Sequence, residues 1–337
     1  MFYRFLFFFL FICSFPAFSQ KTKADSFRVK ADWFSKARYG IMVHYLHGLQ
    51  NGSPPWNQGK KTSWDACVND FDVQKFANDV KATGAGYVVF SLQQSDEYFC
   101  APNSTFEKIT GLKRGFSTSH RDLIADLYTA LKAKNINLMV YITGNGPFKH
   151  WKAMERLTNN NFHERVVNNA YQVDKVFVQN WGKVLSEFSK RYKSKVKGWW
   201  IDGAYPFIGY NETLLPILKT ALKSGNPNAI VAFNPAPKDT VTYYSKWDDY
   251  TAGEMYHIKS VPKTRFMRGV QWHAATFVGK DWANPGLRFS DKELSDYISK
   301  CNQNGGVVSL DVCVLRDGSI DMQQIGQLKK VKGLLKN

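Results

Sequence analysis

Cysteine is scarce, with five residues in 337. That is too few for a disulfide-built scaffold, and no two are spaced as CxxC. Cys301 and Cys313 flank a Gly-rich link; they could meet, or each could be a small buried hydrophobe. No GxGxxG follows the first apolar run and no GxxxxGKS/T occurs, which weakens dinucleotide and phosphate-loop readings. No serine sits in a GxSxG elbow, so an esterase would have no nucleophile. There is no HExxH and no third histidine at useful spacing, so no metal is expected. The chain has no repeat, no low-complexity linker and no sharp composition shift. Acidic residues are few, 28 against 45 Lys and Arg, for a formal net charge of +17. Such a surface could hold nucleic acid, an anionic surface or an acidic polymer. The lysines sit singly rather than in one stripe, which argues against nucleic acid.

Residues 1–20, MFYRFLFFFLFICSFPAFSQ, have the pattern of a signal peptide. Arg4 starts an apolar run, and Pro16, Ala17 and Ser19 give a small-residue exit. The run is shorter than the roughly 20 residues of a comfortable membrane span. No later segment reaches about 18 apolar residues, so no integral membrane segment is expected in the mature chain. The expectation is export, to the periplasm, the cell surface or the medium, which also speaks against a nucleic-acid partner. Residues 21–337 are read as one domain.

What the chain does have is aromatic surface and a regular alternation. Phe, Trp and Tyr make up 15% of the residues. Short apolar runs are expected as strands at 39–45, 87–92, 136–142, 196–201, 230–233, 268–272 and 306–310, with a sixth strand or its exit loop at 249–254. Amphipathic stretches separate nearly all of them. The clearest are 72–83, 121–134 (Leu123, Leu127 and Leu131 recur every four), 175–192, 214–222, 291–300 and 322–335. Ser290 and Glu293 form a capping-box pattern before the fifth. Strands apolar on both faces and separated by helices imply a parallel sheet with right-handed crossovers. The expected fold is an α/β barrel of the (β/α)8 type, irregular in its second half; a doubly wound open sheet is the alternative.

In such a barrel the active site lies at the C-terminal strand ends. Asp202 stands where an apolar strand stops, with Gly203 next, and so points a carboxylate into the mouth; capping of the next helix is the competing reading. A glycosidase needs two carboxylates, about 5–5.5 Å apart for direct displacement or about 6.5–9.5 Å for water activation. Glu254, after the Gly253 break, is the best second group, with Asp96, Glu97 and Asp249 as rivals. Aromatic rings can cover the C–H faces of a sugar. Tyr45, Trp56, Trp64, Tyr98, Tyr141, Trp199, Trp200 and Trp272 are candidates, with His44, Gln93 and Gln94 as polar contacts.

Several segments resemble the α-L-fucosidase family of retaining glycosidases. ADWFSKARYGIMVHYLHG resembles the family's opening "W…AKFGIFIHWG", which puts His44 at its substrate-contacting histidine. FDVQKFANDVKATGAGYVVFS resembles the lead into strand two, and RDLIADLYTALKAKNINLMVYI the helix and strand that follow. KVKGWWIDG resembles "LWFDG", whose nucleophile falls on Asp202. DDYTAGE resembles "DFxTPE", which makes Glu254 the acid/base. NGGVVSLDVCVLRDGSI resembles the closing "NGGNLLLNVGPxxDGxI". Where the family reads "KHHDGF" this chain has LQQSDEYF, with Gln93 and Gln94 at the histidine positions; where the family has "WE" it has Trp272-His273. The resemblance covers the catalytic barrel only. It implies an exo-acting retaining α-glycosidase without cofactor, acting on an oligosaccharide or polysaccharide, for which the basic surface permits an acidic or sulfated glycan. The alternatives are a related glycosidase of another specificity (α-galactosidase-like) and a non-catalytic glycan-binding protein on the same barrel.

Overall fold

The computed structural model describes residues 23–167 and 170–335. The expected export segment, with Cys13, lies outside the described residues. Seven parallel strands form one curled sheet of TIM-barrel type. In chain order they are β1 (Tyr39–Val43), β2 (Tyr87–Gln93), β3 (Asn137–Thr143), β4 (Val196–Asp202), β5 (Ile230–Phe233), β6 (His273–Phe277) and β7 (Val307–Val312). Their order across the sheet is β6-β7-β1-β2-β3-β4-β5.

Side chains alternate between the two faces of each strand. Met42, Tyr87, Val89, Met139, Tyr141, Trp200, Ile230, Ala232 and Ala275 form one buried cluster inside the curl. Their neighbours Ile41, Val43, Val88, Val140, Trp199 and Ile201 belong to a second, larger cluster under the helices. The helix Leu123–Lys132 buries Leu123, Leu127 and Leu131 there, and Asp122 caps it by accepting from Ala125 N. The capping box of Ser290 and Glu293 is formed. A helix that the strand pattern did not announce, Lys23–Ala37, precedes β1. Its Phe34 packs edge-on against Tyr87 and Tyr250, at 4.9 and 5.0 Å between centroids, and joins the inner cluster.

Of the two readings of residues 249–254, a sixth strand or its exit loop, the loop is what forms: the segment makes isolated bridges and no sheet strand. The segment lies between β5 and β6, but side chains replace part of the ladder. Asp248 accepts from Phe233 N at 2.7 Å, and Asp249 from Val231 N at 2.9 Å. Asp249 also pairs with Lys219 and Lys223, at 3.1 and 2.5 Å. On the other side Gly253 O and Met255 N bond to Ala275, at 2.8 and 2.9 Å. The strand expected at 268–272 is corrected: that run is not part of the sheet. A turn at Arg268 and Gly269, both with positive φ, makes Phe266–Met267 and Val270–Gln271 an antiparallel hairpin, and β6 begins only at His273. The four described cysteines are buried and unbonded, so Cys301 and Cys313 do not pair. No helix among the described residues is long and apolar enough to cross a membrane.

Candidate active site

The alternation that buries Met42, Met139, Trp200 and Ala232 also sets what stands at the sheet's C-terminal edge. Two residues beyond each inward apolar side chain come His44, Tyr141, Asp202 and Asn234. A cavity of about 450 Å³ opens there. Its wall includes His44, Gln94, Asp96, Tyr141, Trp200, Asp202, Glu254 and Trp282.

Asp202 is held by four donors. Tyr141 OH donates to Oδ2 at 2.6 Å. Oδ1 accepts from Gly203 N at 2.8 Å, Tyr205 OH at 2.8 Å and Asn234 Nδ2 at 3.0 Å. Gly203 turns the chain with φ +60, and a Cβ there would lie 2.5 Å from Asn145 Oδ1. The Asn234 amide donates also to Glu254 Oε2. One nitrogen thus touches both carboxylates, which keeps those oxygens within about 5.5 Å of each other, the span of two hydrogen bonds. Glu254 reaches this place because Gly253 has φ +64 and passes against the His273 carbonyl, where a Cβ would come within 2.0 Å.

Burial pushes the Glu254 carboxyl up to about 7, and the nearby Asp202 charge adds to the rise; the Asn234 bond and His44 oppose it. Asp96 is also raised to about 7, chiefly by burial, with Tyr98 N and Lys149 pulling it down and Glu97 pushing it up. His44 Nδ1 lies 2.7 Å from Asp311 Oδ1. Burial disfavours the His44 cation, but the charges of Asp311, Asp202 and Glu254 outweigh it, and its pKa rises above 6.5. Tyr141 stacks on Trp200 at 5.3 Å and 16°. The buried Trp282 Nε1 on the cavity wall has no partner among the described residues. No described group of three or more His, Cys, Asp or Glu is arranged to hold a metal ion.

Of the residues the sequence nominates, Asp202, Glu254, His44, Gln94, Asp96, Tyr141 and Trp200 therefore meet at one cavity. Five nominated site residues do not line it. Tyr45 follows His44 and so faces outward, its hydroxyl 2.9 Å from the carbonyls of Cys67 and Arg316. Trp64 is buried against it and donates to Phe99 O at 2.8 Å. Gln93 is buried behind the wall, accepting from Thr143 Oγ1 and donating to Asp96 O. Glu97 sits 3.9 Å from His150 Nε2. Trp272 precedes β6, at the N-terminal edge of the sheet, in the outer core. Among the other aromatic candidates, Trp56 is a strut to Ala283 O and Tyr98 stacks on His47 at 3.8 Å. Asp249 is committed to its lysines, away from the cavity wall. Sequence reasoning missed Trp282, Lys149 and Tyr205, all on loops with no periodicity to expose them. Asn234 and Asp311 were visible only as polar ends of apolar runs.

At the C-terminal edge of a TIM-like half-barrel sheet, two carboxylates thus share a donor inside an aromatic-walled cavity. The α-L-fucosidase family model matches residues 61–337, and the chain belongs to that family. Solved structures share the fold. The endo-fucoidan hydrolase MfFcnA4 of glycoside hydrolase family 107 superposes with a TM-score of 0.68 at 14% identity, over 92% of this chain and 54% of its own. The α-L-fucosidase AlfC of Lactobacillus casei, with α-L-fucose product, superposes with a TM-score of 0.61 at 16% identity, over 90% of this chain and 97% of its own. A bacterial fucosidase with an iminocyclitol inhibitor gives 0.61 at 16% identity, over 93% and 74%. This chain thus spans about half the length of MfFcnA4. No curated protein matches it.

Proposed function

We propose that the protein is an exported, exo-acting retaining α-glycosidase that removes a terminal α-L-fucosyl unit or a close relative. The carrying observation is the Asn234 amide that touches Asp202 and Glu254 together. It keeps Oδ1 and Oε2 no more than about 5.5 Å apart, which supports a direct-displacement pair at about 5–5.5 Å over a water-activating pair at about 6.5–9.5 Å. Asp202 attacks the anomeric carbon and forms the glycosyl ester. Oδ1 is saturated by three donors, so Oδ2, with Tyr141 alone, is the attacking oxygen. Glu254, protonated up to about pH 7, gives its proton to the leaving oxygen, then takes one from the incoming water. His44, oriented by Asp311, is positioned for a sugar hydroxyl.

The test is hydrolysis of an aryl α-L-fucoside. Asp202→Ala should abolish it, and azide should restore part of it as the fucosyl azide; normal turnover by Asp202→Ala would sink the assignment. Gln93 and Gln94 fall where the family resemblance has its paired histidines, and of the two only Gln94 lines the cavity, which favours a second reading, a related glycosidase of other specificity. A panel of aryl glycosides decides between the two. A non-catalytic glycan binder would turn over none.

A further inference from the structure

We propose that Tyr256 and Arg288 form a subsite for the departing sugar, and that this sugar carries an anionic substituent, a sulfate ester or a carboxylate. The inference rests on reading Glu254 as the proton donor. A donor must stand within hydrogen-bond reach of the leaving oxygen, so the departing sugar lies against the segment that carries Glu254.

Tyr256 is two residues further along that segment and is 46% exposed. Its ring meets Phe277 edge-on, 5.8 Å between centroids at 81°. Phe277 packs at 5.1 Å on Trp282, which lines the cavity. The exposed tyrosine therefore continues the aromatic wall outward. Arg288 sits on the same wall. Its guanidinium lies over Phe277 at 3.9 Å and over Phe289 at 4.6 Å, and Nη2 donates to the Tyr256 carbonyl. The backbone is fixed by Arg288 N to Val278 O at 2.9 Å.

This guanidinium is half-buried and forms no ion pair with any described carboxylate. Burial lowers its pKa, and only the more distant charge of Asp281 works the other way. Partial desolvation without a counter-ion is unfavourable. An Arg fork held flat by two rings offers several unused N–H donors in the geometry that suits sulfate or carboxylate. A bound anion would supply the missing charge, and a neutral sugar would not.

The test uses the intact chain and three probes: an α-L-fucosyl-fucose disaccharide, the same disaccharide sulfated on its reducing-end sugar, and α-L-fucosyl-glucuronate. Calorimetric affinity and kcat/KM are measured for each. Arg288→Met keeps the aliphatic stem over the rings and removes the fork. It should cost at least one charged probe about tenfold more than the neutral one, and Arg288→Lys should recover part of that loss. Which charged probe is preferred separates sulfate from carboxylate. Equal losses on all three probes, or a wild-type protein that prefers neither charged probe, overturns the proposal. Wild-type preference alone decides if a variant fails to fold. Preferential binding of a charged probe with no turnover of any probe leaves the subsite standing and removes the role given to Glu254.

Discussion

Asp311 divides its carboxylate between two elements of the site: Oδ1 holds His44 Nδ1 at 2.7 Å, and Oδ2 accepts from Ala283 N, next to Trp282. One buried side chain on β7 thus sets both the histidine after β1 and the indole that packs edge-on against it, 5.8 Å between ring centroids.

Asp311→Asn should lower kcat/KM by about 10- to 100-fold, the scale of losing a charge-assisted hydrogen bond. It should also change stability in a pH-dependent way. The folded pKa of His44 lies above the ordinary 6.5. The pair therefore stabilises fully below about pH 6.5 and loses that contribution as pH rises through the folded value. The Tm difference between wild type and Asp311→Asn should be largest below pH 6.5 and shrink above it. A difference that grows with pH would contradict the assignment.

Glu254 gives the second prediction. Its folded value of about 7 exceeds the ordinary 4.5, so the folded state holds the extra proton between those values. Stability from this group is present at low pH and falls as pH rises from about 4.5 through 7. Glu254→Gln should raise Tm by a few degrees at pH 8 and by less at pH 5. In wild type, kcat/KM should fall on the alkaline side with an apparent pKa near 7. Asn234→Ala, which removes a bond that favours the charged form, should move that limb to higher pH.

Tyr141→Phe removes the one donor that the described residues offer Asp202 Oδ2, while keeping the stack on Trp200. The expected loss in kcat is about 10- to 100-fold with little change in Tm. A fall in stability without a fall in kcat would make the tyrosine a strut instead.

Asp249 has a purely architectural part. Replacing it by Ala takes the carboxylate partner from Lys219 and Lys223 and leaves Val231 N without that acceptor. Breaking a buried pair in this way costs about 3–5 kcal/mol. Urea unfolding should show that loss, and a loss under about 1 kcal/mol would mean that the remaining bonds of the segment, Asp248 to Phe233 N among them, hold it without this pair.

The legible part of the site follows from alternation. Asp202 is readable because an apolar strand ends on it and a glycine follows; counting by twos from Trp200 places it inward. Tyr45 fails by the same count, since it follows His44 and must face the other way. Trp272 fails for a different reason. The apolar character of 268–277 runs across a hairpin turn, and starting the strand too early moved the tryptophan from the N-terminal edge to the C-terminal one. Gln93 lies on the correct strand end, but burial behind Thr143 depends on a partner from β3 that no local pattern names. Trp282 and Lys149 sit on irregular loops, where chain direction is set by contacts such as Ala283 N to Asp311 and Lys149 N to Ser95 O.

The side-chain links that replace a strand between β5 and β6 give the segment bearing Glu254 a freedom that Asp202 lacks. Residues on a regular ladder can shift only in steps that flip every neighbour to the opposite face. The segment bearing Glu254 is held at separate points instead, by Asp248 and Asp249 towards β5 and by Gly253 O and Met255 N on Ala275 towards β6. A disturbance that loosens one of these few bonds would move Glu254 against Asp202, whose own position is fixed by a full ladder on β4.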